Sequence, residues 1–365
     1  MDFTRTEAAQ DLSGLVSTIV DTVCTPDRQR ELDGLDQRFD ETLWHKLTDA
    51  DILSAAAPES LGGGGFGVLE QTAILTALGR QLAAVPYLDS VVLAAGSLAR
   101  SGPPALCRDW AAPAVAGEKV LSTALDGEPG QGPVRATAVG DGFRLTGGRT
   151  QIPYGPVADA FLIPAETETG TSLFLVTAQD PGVTVTALET TGLGSVAAID
   201  LAGVPVGADR VAGDADALSW LATRRAVGLA AFQLGVLERA LELTAEYART
   251  REQFDRPIGS FQAVSQRLAD GYIDVKGLRL TVDQASWRLS EDLPAEVEAA
   301  TAAFWAAEAG HRVSHTTVHV HGGVGIDIDH PVHRYFITAK QTEFALGGAT
   351  AALRAIGREL ADTPA

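Results

Sequence analysis

The chain has 365 residues, 45% of them hydrophobic and 21% charged, a globular balance that excludes a disordered or fibrous protein and, at about 150 residues per domain, predicts two or three domains. Its 28 basic against 47 acidic residues give a formal charge of −19, which disfavours nucleic acid and anionic lipid as partners. Two cysteines, Cys24 and Cys107, are too few for a disulfide framework and lack CxxC spacing, so a reducing cytoplasm is expected.

Met1-Asp2-Phe3-Thr4-Arg5 has neither the basic stretch nor the apolar block of a secretory signal, so no export is expected. Helical spacing follows from Thr4 to about Gly102. Leu12, Leu15, Ile19 and Val23 recur at steps of three and four, a glycine run at Gly62 to Gly65 interrupts, and Leu69, Leu75, Leu78 and Leu82 resume the pattern. From about Lys119 to Gly213 short apolar runs alternate with turn residues such as Gly140-Asp141-Gly142, Gly147-Gly148 and Pro181-Gly182. Val183-Thr184-Val185-Thr186-Ala187-Leu188 shows the period of two of a half-buried strand, and a small antiparallel barrel or sandwich is the expected closure.

Helical periodicity returns after Asp214. Leu229, Phe232, Val236, Ala240, Leu243 and Tyr247 mark one long helix. Ser260 offers an N-cap to a second, striped by Val264, Leu268, Tyr272, Val275, Leu278 and Val282. A third is expected from Pro294 towards Gly322 and Gly323, and a fourth from Pro331 to Glu359, together an up-and-down bundle. The longest apolar stretches, Ser90 to Ala99 and Ala226 to Leu237, fall short of the roughly 18 to 20 residues a bilayer span requires. The expected fold class is α+β, with a helical domain at 1–117, a β-barrel domain at 118–213 and a four-helix-bundle domain at 214–365.

Two segments concentrate chemistry. Six of the seven histidines, His311, His315, His319, His321, His330 and His333, lie close together, the first three on one helix face; without an HExxH pattern or a nearby cysteine they suit packing or an interface better than a metal. The stretch Arg249 to Gln262 ends a helix in guanidinium groups and restarts another with an aromatic and an amide. Cations favoured by a helix C-terminus would explain the arginines structurally, and capture of a dinucleotide diphosphate by an Arg fork beside a phenyl ring would explain them functionally.

The block REQFDRPIGSFQAVSQRLAD, Arg251 to Asp270, resembles the signature helix–loop–helix of the acyl-CoA dehydrogenase family. His321-Gly322-Gly323-Val324-Gly325 followed by His330-Pro331-Val332-His333-Arg334-Tyr335 is similar to its second signature, and LGGGGFG at Leu61 to Gly67 and Leu145-Thr146-Gly147-Gly148 also resemble it. The resemblance implies FAD bound between the β domain of one subunit and the C-terminal helices of its neighbour. It implies oxidation of the Cα–Cβ bond of an acyl-CoA, a glutamate taking the α proton as a hydride leaves for the flavin. It places Arg251, Gln253, Phe254, Ile258, Phe261, Gln262, His319, Gly322 and Gly323 in the half-site lent to a neighbour's flavin. An electron-transfer flavoprotein or similar acceptor is the implied reoxidant.

The sequence departs from the family where the chemistry would be done. Leu346, in Phe344-Ala345-Leu346-Gly347-Gly348, stands at the family's usual glutamate, and Arg225 at the alternative base position; neither accepts a proton. Glu343, three residues before Leu346, is the nearest substitute and Glu238 is remote on the same helix as Arg225. Gln151-Ile152-Pro153-Tyr154 replaces the family's flavin-stacking Trp-Ile-Thr/Ser-Asn, and Glu128-Pro129-Gly130-Gln131-Gly132-Pro133 replaces Glu-Pro-Gly-Ala-Gly-Ser. In this the protein resembles the smaller, base-lacking subunits of the heterotetrameric (α2β2) acyl-CoA dehydrogenases of actinobacterial steroid side-chain degradation. The expected function is that of a subunit that lends the ADP half of the FAD site to a larger catalytic partner. A self-sufficient homo-oligomer with Glu343 as relocated base, and a flavin-free scaffold, are the alternatives. Gly228, Ala230, Ala231, Gly347 and Gly348 leave room either for a bulky acyl group or for close helix packing.

Overall fold

The computed structural model describes residues 4–128 and 130–362. Met1-Asp2-Phe3 of the N-terminal reading and Pro129 of the replaced loop lie outside the described residues.

The N-terminal third is helical: α1 (Glu7–Val23), α2 (Pro26–Asp33), α3 (Glu41–Asp49), α4 (Ile52–Ala55), α5 (Val68–Arg80), α6 (Gly96–Ser101), α7 (Pro104–Leu106) and α8 (Ala112–Val115), with a π-helical segment at Tyr87–Ala95. Short polar side chains start the early helices. The hydroxyls of Thr6 and Thr25 accept from the backbone N–H of Ala9 and Arg28, and the Asp40 carboxylate accepts from that of Leu43, so each fills one of the donors a helix start leaves free. The buried face of α1 is Ala9, Val16 and Val20, so Leu15, expected on that face, is 44% exposed. A stripe at steps of three and four drifts round the helix, and Leu15 falls on its outer edge.

Eight strands follow: β1 (Leu121–Thr123), β2 (Val134–Val139), β3 (Gly142–Pro153), β4 (Ala160–Thr167), β5 (Gly170–Thr177), β6 (Val183–Leu188), β7 (Val196–Gly207) and β8 (Val211–Gly213). Their order is β6-β7-β3-β2-β4-β5-β8, with β1 beside β4; the β1–β4 and β2–β4 pairs are parallel and the rest antiparallel. Among the described residues the ladder ends at β6 and β8, so the barrel expected at 118–213 is an open sheet. Its apolar face, with Leu145, Ile152, Phe161, Phe174, Ile199 and Val204, forms a core of its own.

The C-terminal helices are α9 (Ala215–Thr250), α10 (Gln262–Ser290), α11 (Glu296–His321), α12 (Val332–Ala345) and α13 (Gly348–Asp362), with the two-residue strands β9 (Glu252–Gln253) and β10 (Arg256–Pro257) between the first two. The four-helix packing of α9 to α12 is extended by α13, which lies along α11. Gly347 and Gly348, at φ of +76° and +75°, end α12 and break the single helix expected from Pro331 to Glu359 into two. Ser260 does not cap α10: its hydroxyl donates to the Pro257 carbonyl in a preceding 3-10 turn, and Phe261 takes the cap position. The third long helix starts two residues after Pro294, at Glu296. On α10 the buried residues include Val275, Leu278 and Val282, and Tyr272 of the expected stripe is 59% exposed beside Ile273 and Leu280.

Helices α5 and α9 cross at glycines. A Cβ on Gly235 would lie 2.0 Å from the Thr76 carbonyl oxygen and one on Gly79 2.1 Å from that of Phe232. The buried Thr76 hydroxyl donates across the crossing to Ala231 at 3.1 Å. This contact fixes the N-terminal helices against the bundle in one core. Among the described residues, no helix is long and apolar enough to cross a membrane.

Candidate functional site

Two features stand at opposite ends of α9. The first is a cavity of about 1080 Å³ enclosed by α5, the π-helical segment, the end of β3, the β6–β7 turn, the N-terminal half of α9, and α12. Leu78, Leu88, Leu229, Phe232 and Phe336 give it an apolar wall. The β6–β7 turn is fastened over it by Gln341 of α12, whose Oε1 accepts the Gly194 N–H at 3.0 Å. A side chain at Gly192 or Gly194 would displace that amide and so unfasten the turn.

The polar groups of the cavity converge from four elements. Arg225, at one of the two base positions, pairs with Asp126 at 2.6 Å, and both line the cavity. Asp89 enters from the π-helical segment, only 7% exposed, and burial pushes its carboxyl up to about 6 although Arg225 pulls the other way. Tyr154 ends β3 at φ +51° with its ring edge-on to Phe39, and burial, reinforced by the charge of Asp89, raises its phenol. Arg38 is held by Asp33 at 3.1 Å, and Lys340 by Glu343 at 2.5 Å.

A raised carboxyl has a definite sign. Native Asp89 keeps its proton to higher pH than the unfolded polypeptide does, so its contribution is favourable in acid and is lost as pH rises from about 4 to about 6. The variant Asp89→Asn is expected to be more stable than the parent at pH 7.5, by at most about 3 kcal/mol, with the gain gone below about pH 4. Urea midpoints of both proteins across that range check it.

Neither base position offers a base. Leu346 packs against the helical core, while its neighbours Ala345 and Gly347 line the cavity. Glu343 is bound to Lys340 and lies 3.4 Å from Nδ1 of His311, outside the cavity lining. Glu238 pairs with Arg80 and Arg279.

The second feature is the hairpin β9–β10 and the turn into α10. It gathers Arg251, Gln253, Phe254, Ile258, Phe261 and Gln262 on one short excursion of the backbone. All but Ile258 and Phe261 are exposed, Phe254 by 86% at φ +55°. Phe254 stands edge-on to Phe261, and Arg256 lies over the Phe261 ring at 4.1 Å. Arg251 closes α9, and its guanidinium has no carboxylate partner among the described residues. His319, Gly322 and Gly323 sit at the same end, because α9 and α11 run in one direction and Tyr247 stacks on His321 at 4.4 Å. A Cβ on Gly322 or Gly323 would meet nothing within 4 Å, so this backbone is open to close approach.

Arg251 follows Arg225 by 26 residues of α9, roughly 39 Å at 1.5 Å per residue, and follows Phe232, the cavity residue of α9 nearest the hairpin, by roughly 28 Å. The predicted cofactor-binding residues therefore gather at the C-terminal ends of α9 and α11, while Gln151, Tyr154 and Arg225 of the replaced flavin and base positions line the cavity towards the other end of α9. Of the histidines, His311 and His315 pack ring against ring, and among the described residues no three His, Cys, Asp or Glu side chains converge as metal ligands do. Sequence reading missed Asp89 and Asp126; the one signal was a carboxylate inside the apolar run Tyr87 to Ala95.

Residues 6–118 match the model of the acyl-CoA dehydrogenase N-terminal domain and residues 215–361 that of the C-terminal domain. The protein is 69% identical to acyl-CoA dehydrogenase FadE27 of Mycobacterium tuberculosis over the full length of both. It is 32% identical to acyl-CoA dehydrogenase FadE28 of the same organism, over 86% of this polypeptide and 91% of that one. Its structure superposes on one subunit of the ChsE4-ChsE5 complex from Mycobacterium tuberculosis with a TM-score of 0.99, at 71% identity and full coverage of both. On one subunit of a variant of the Tcur3481-Tcur3483 steroid ACAD the TM-score is 0.92, at 37% identity, covering 98% of this polypeptide and 99% of that one.

Proposed function

The protein belongs to the acyl-CoA dehydrogenase family, and on that footing we propose that it is the base-lacking subunit of an α2β2 enzyme that desaturates the Cα–Cβ bond of an acyl-CoA. The observation that carries this reading is the roughly 39 Å along α9 between Arg251, whose guanidinium has no carboxylate partner among the described residues, and Arg225 at the base position in the subunit's own cavity. That separation favours a flavin seated in another subunit as the hairpin's ligand.

The hairpin residues fit FAD. Arg251 provides a planar fork for diphosphate oxygens, Phe254 and Phe261 apolar faces for a heteroaromatic ring, Gln262 an amide, and Gly322 and Gly323 unobstructed backbone. His319 adds an exposed imidazole. The subunit's own cavity lacks the family's flavin contacts: Arg225 is engaged by Asp126, Gln151 stands at the position of the missing aromatic, and Leu346 offers no proton acceptor. When bound, FAD supplies the hydride-accepting ring. This subunit binds and orients the far end of the cofactor, while the carboxylate that takes the α proton comes from the larger partner.

That a protein of 71% identity stands in a complex of two differently named proteins supports a partner of different sequence. The steroid designation of the second structure supports a steroid side-chain thioester as the acyl group. An electron-transfer flavoprotein or a similar carrier is the expected acceptor.

The competing reading makes the protein self-sufficient through Glu343, and the Lys340 ion pair that holds Glu343, which is not among the cavity-lining residues, disfavours it. In the complex reconstituted with its partner, Glu343→Gln is expected to leave acyl-CoA turnover within roughly twofold of the parent, as for other partly exposed ion pairs. Loss of all turnover in a dye-reduction assay would establish Glu343 as the base and contradict the proposal.

A further inference from the structure

We propose that the cavity this subunit keeps for itself is a binding site for an uncharged, largely apolar molecule bearing a hydrogen-bonding oxygen, which Asp89 and Tyr154 receive. The inference is independent of the flavin shared at the hairpin.

At about 1080 Å³ the space reaches the upper end of the range of small-molecule sites, and it is walled by Leu78, Leu88, Leu229, Phe232 and Phe336. Water filling such a space leaves apolar surface wet, and an apolar guest removes it from water at about 25 cal/mol per Å².

Charge then limits the guest. The cations that line the cavity are Arg38, Arg225 and Lys340, and each is engaged, with Asp33, Asp126 and Glu343 respectively. His315, the remaining basic group, is held below the usual histidine range by burial and by the nearby His311 and Lys340, which disfavours its charged form. A phosphate would meet cations whose charge nearby carboxylates already offset, and the net charge of −19 opposes it further. A dinucleotide or a CoA thioester is therefore a poor guest, which sets this cavity apart from the hairpin with its free Arg251.

Asp89 and Tyr154 supply the polar contact. Asp89 is 7% exposed, and among the described residues neither its carboxyl nor the Tyr154 hydroxyl hydrogen-bonds to another side chain. The Asp89 carboxyl has one backbone hydrogen bond and the half-buried Tyr154 hydroxyl has no side-chain partner among the described residues, so both keep hydrogen-bonding capacity that a ligand carbonyl or hydroxyl can use. Because the Asp89 carboxyl titrates near 6, it meets such an oxygen as donor on the acid side of that value and as acceptor above it.

The test uses benzophenone, a neutral apolar ketone that on irradiation inserts into the C–H bonds of nearby residues, with 4-benzoylbenzoate as its anionic counterpart. Irradiation of the full-length protein with benzophenone, followed by peptide mass spectrometry, is expected to give saturable adducts at Leu78, Leu88, Leu229 or Phe232. 4-Benzoylbenzoate is expected to label them at least about tenfold less, and Asp89→Leu to weaken benzophenone labelling by about fivefold, the worth of one buried hydrogen bond. Filling the space with Ala84→Trp, or with Leu229→Trp should the first not fold, is expected to remove the labelling of the remaining wall residues. Adducts confined to the exposed α10 residues Tyr272, Ile273 and Leu280, equal labelling by both probes, or no saturable labelling would overturn the proposal.

Discussion

Replacing Arg251 by alanine is expected to strip the flavin from the assembled enzyme while leaving this subunit folded. The guanidinium closes α9 on the surface, with no carboxylate partner among the described residues, so its removal breaks nothing in the subunit itself. A charge-assisted, two-pronged contact to a diphosphate is worth about 1.5–3 kcal/mol, which predicts flavin affinity about 10- to 100-fold weaker in the complex. Arg251→Lys keeps the charge but not the fork and should fall between. The ratio of flavin to protein absorbance after gel filtration of the co-expressed complex reads the effect. An unchanged ratio would mean that the hairpin does not hold the dinucleotide.

The second large effect is on stability. Gly235→Ala is expected to destabilise the fold by about 2–3 kcal/mol, since the new methyl would lie 2.0 Å from the Thr76 carbonyl oxygen and must push α5 from α9. The gain of about 1 kcal/mol in helix propensity does not offset a collision with backbone. Gly14→Ala is the control. It sits in α1 with nothing within 4 Å of the added carbon, and it should stabilise by up to about 1 kcal/mol. Urea midpoints of the two variants should therefore move in opposite directions.

The order of helices, sheet and helices was legible because period and turn chemistry are local properties. The i, i+3, i+4 stripes of α5 and α9 and the alternation of β6 each declare an element within about ten residues. Boundaries that depend on a single conformation were less legible. Gly347 and Gly348 sit inside a sequence that otherwise reads as helix, and only their left-handed φ values show that α12 stops there. The edges of stripes failed for a related reason: Leu15 and Tyr272 keep the right spacing yet face outward, because which flank of an apolar face meets a neighbour is decided by packing.

At the site, the motif around Arg251 was visible because its residues are consecutive. The losses at Leu346 and Arg225 were visible because a leucine or an arginine cannot take a proton wherever it points. What Arg225 does instead was not visible: its partner Asp126 is 99 residues away in sequence, and Asp89 comes from a third element. Nor does the sequence alone show the distance between hairpin and cavity. That follows from α9 being one unbroken helix from Ala215 to Thr250.

Flavin stoichiometry is the most direct test of whether this subunit serves a dinucleotide seated elsewhere. Purified alone, the protein is predicted to carry no flavin and to reduce no dye with any acyl-CoA; purified with its larger partner, the assembly should hold one flavin for each pair of unlike subunits. A lone subunit with one bound flavin and acyl-CoA turnover, or a complex with two flavins per pair, would contradict the account.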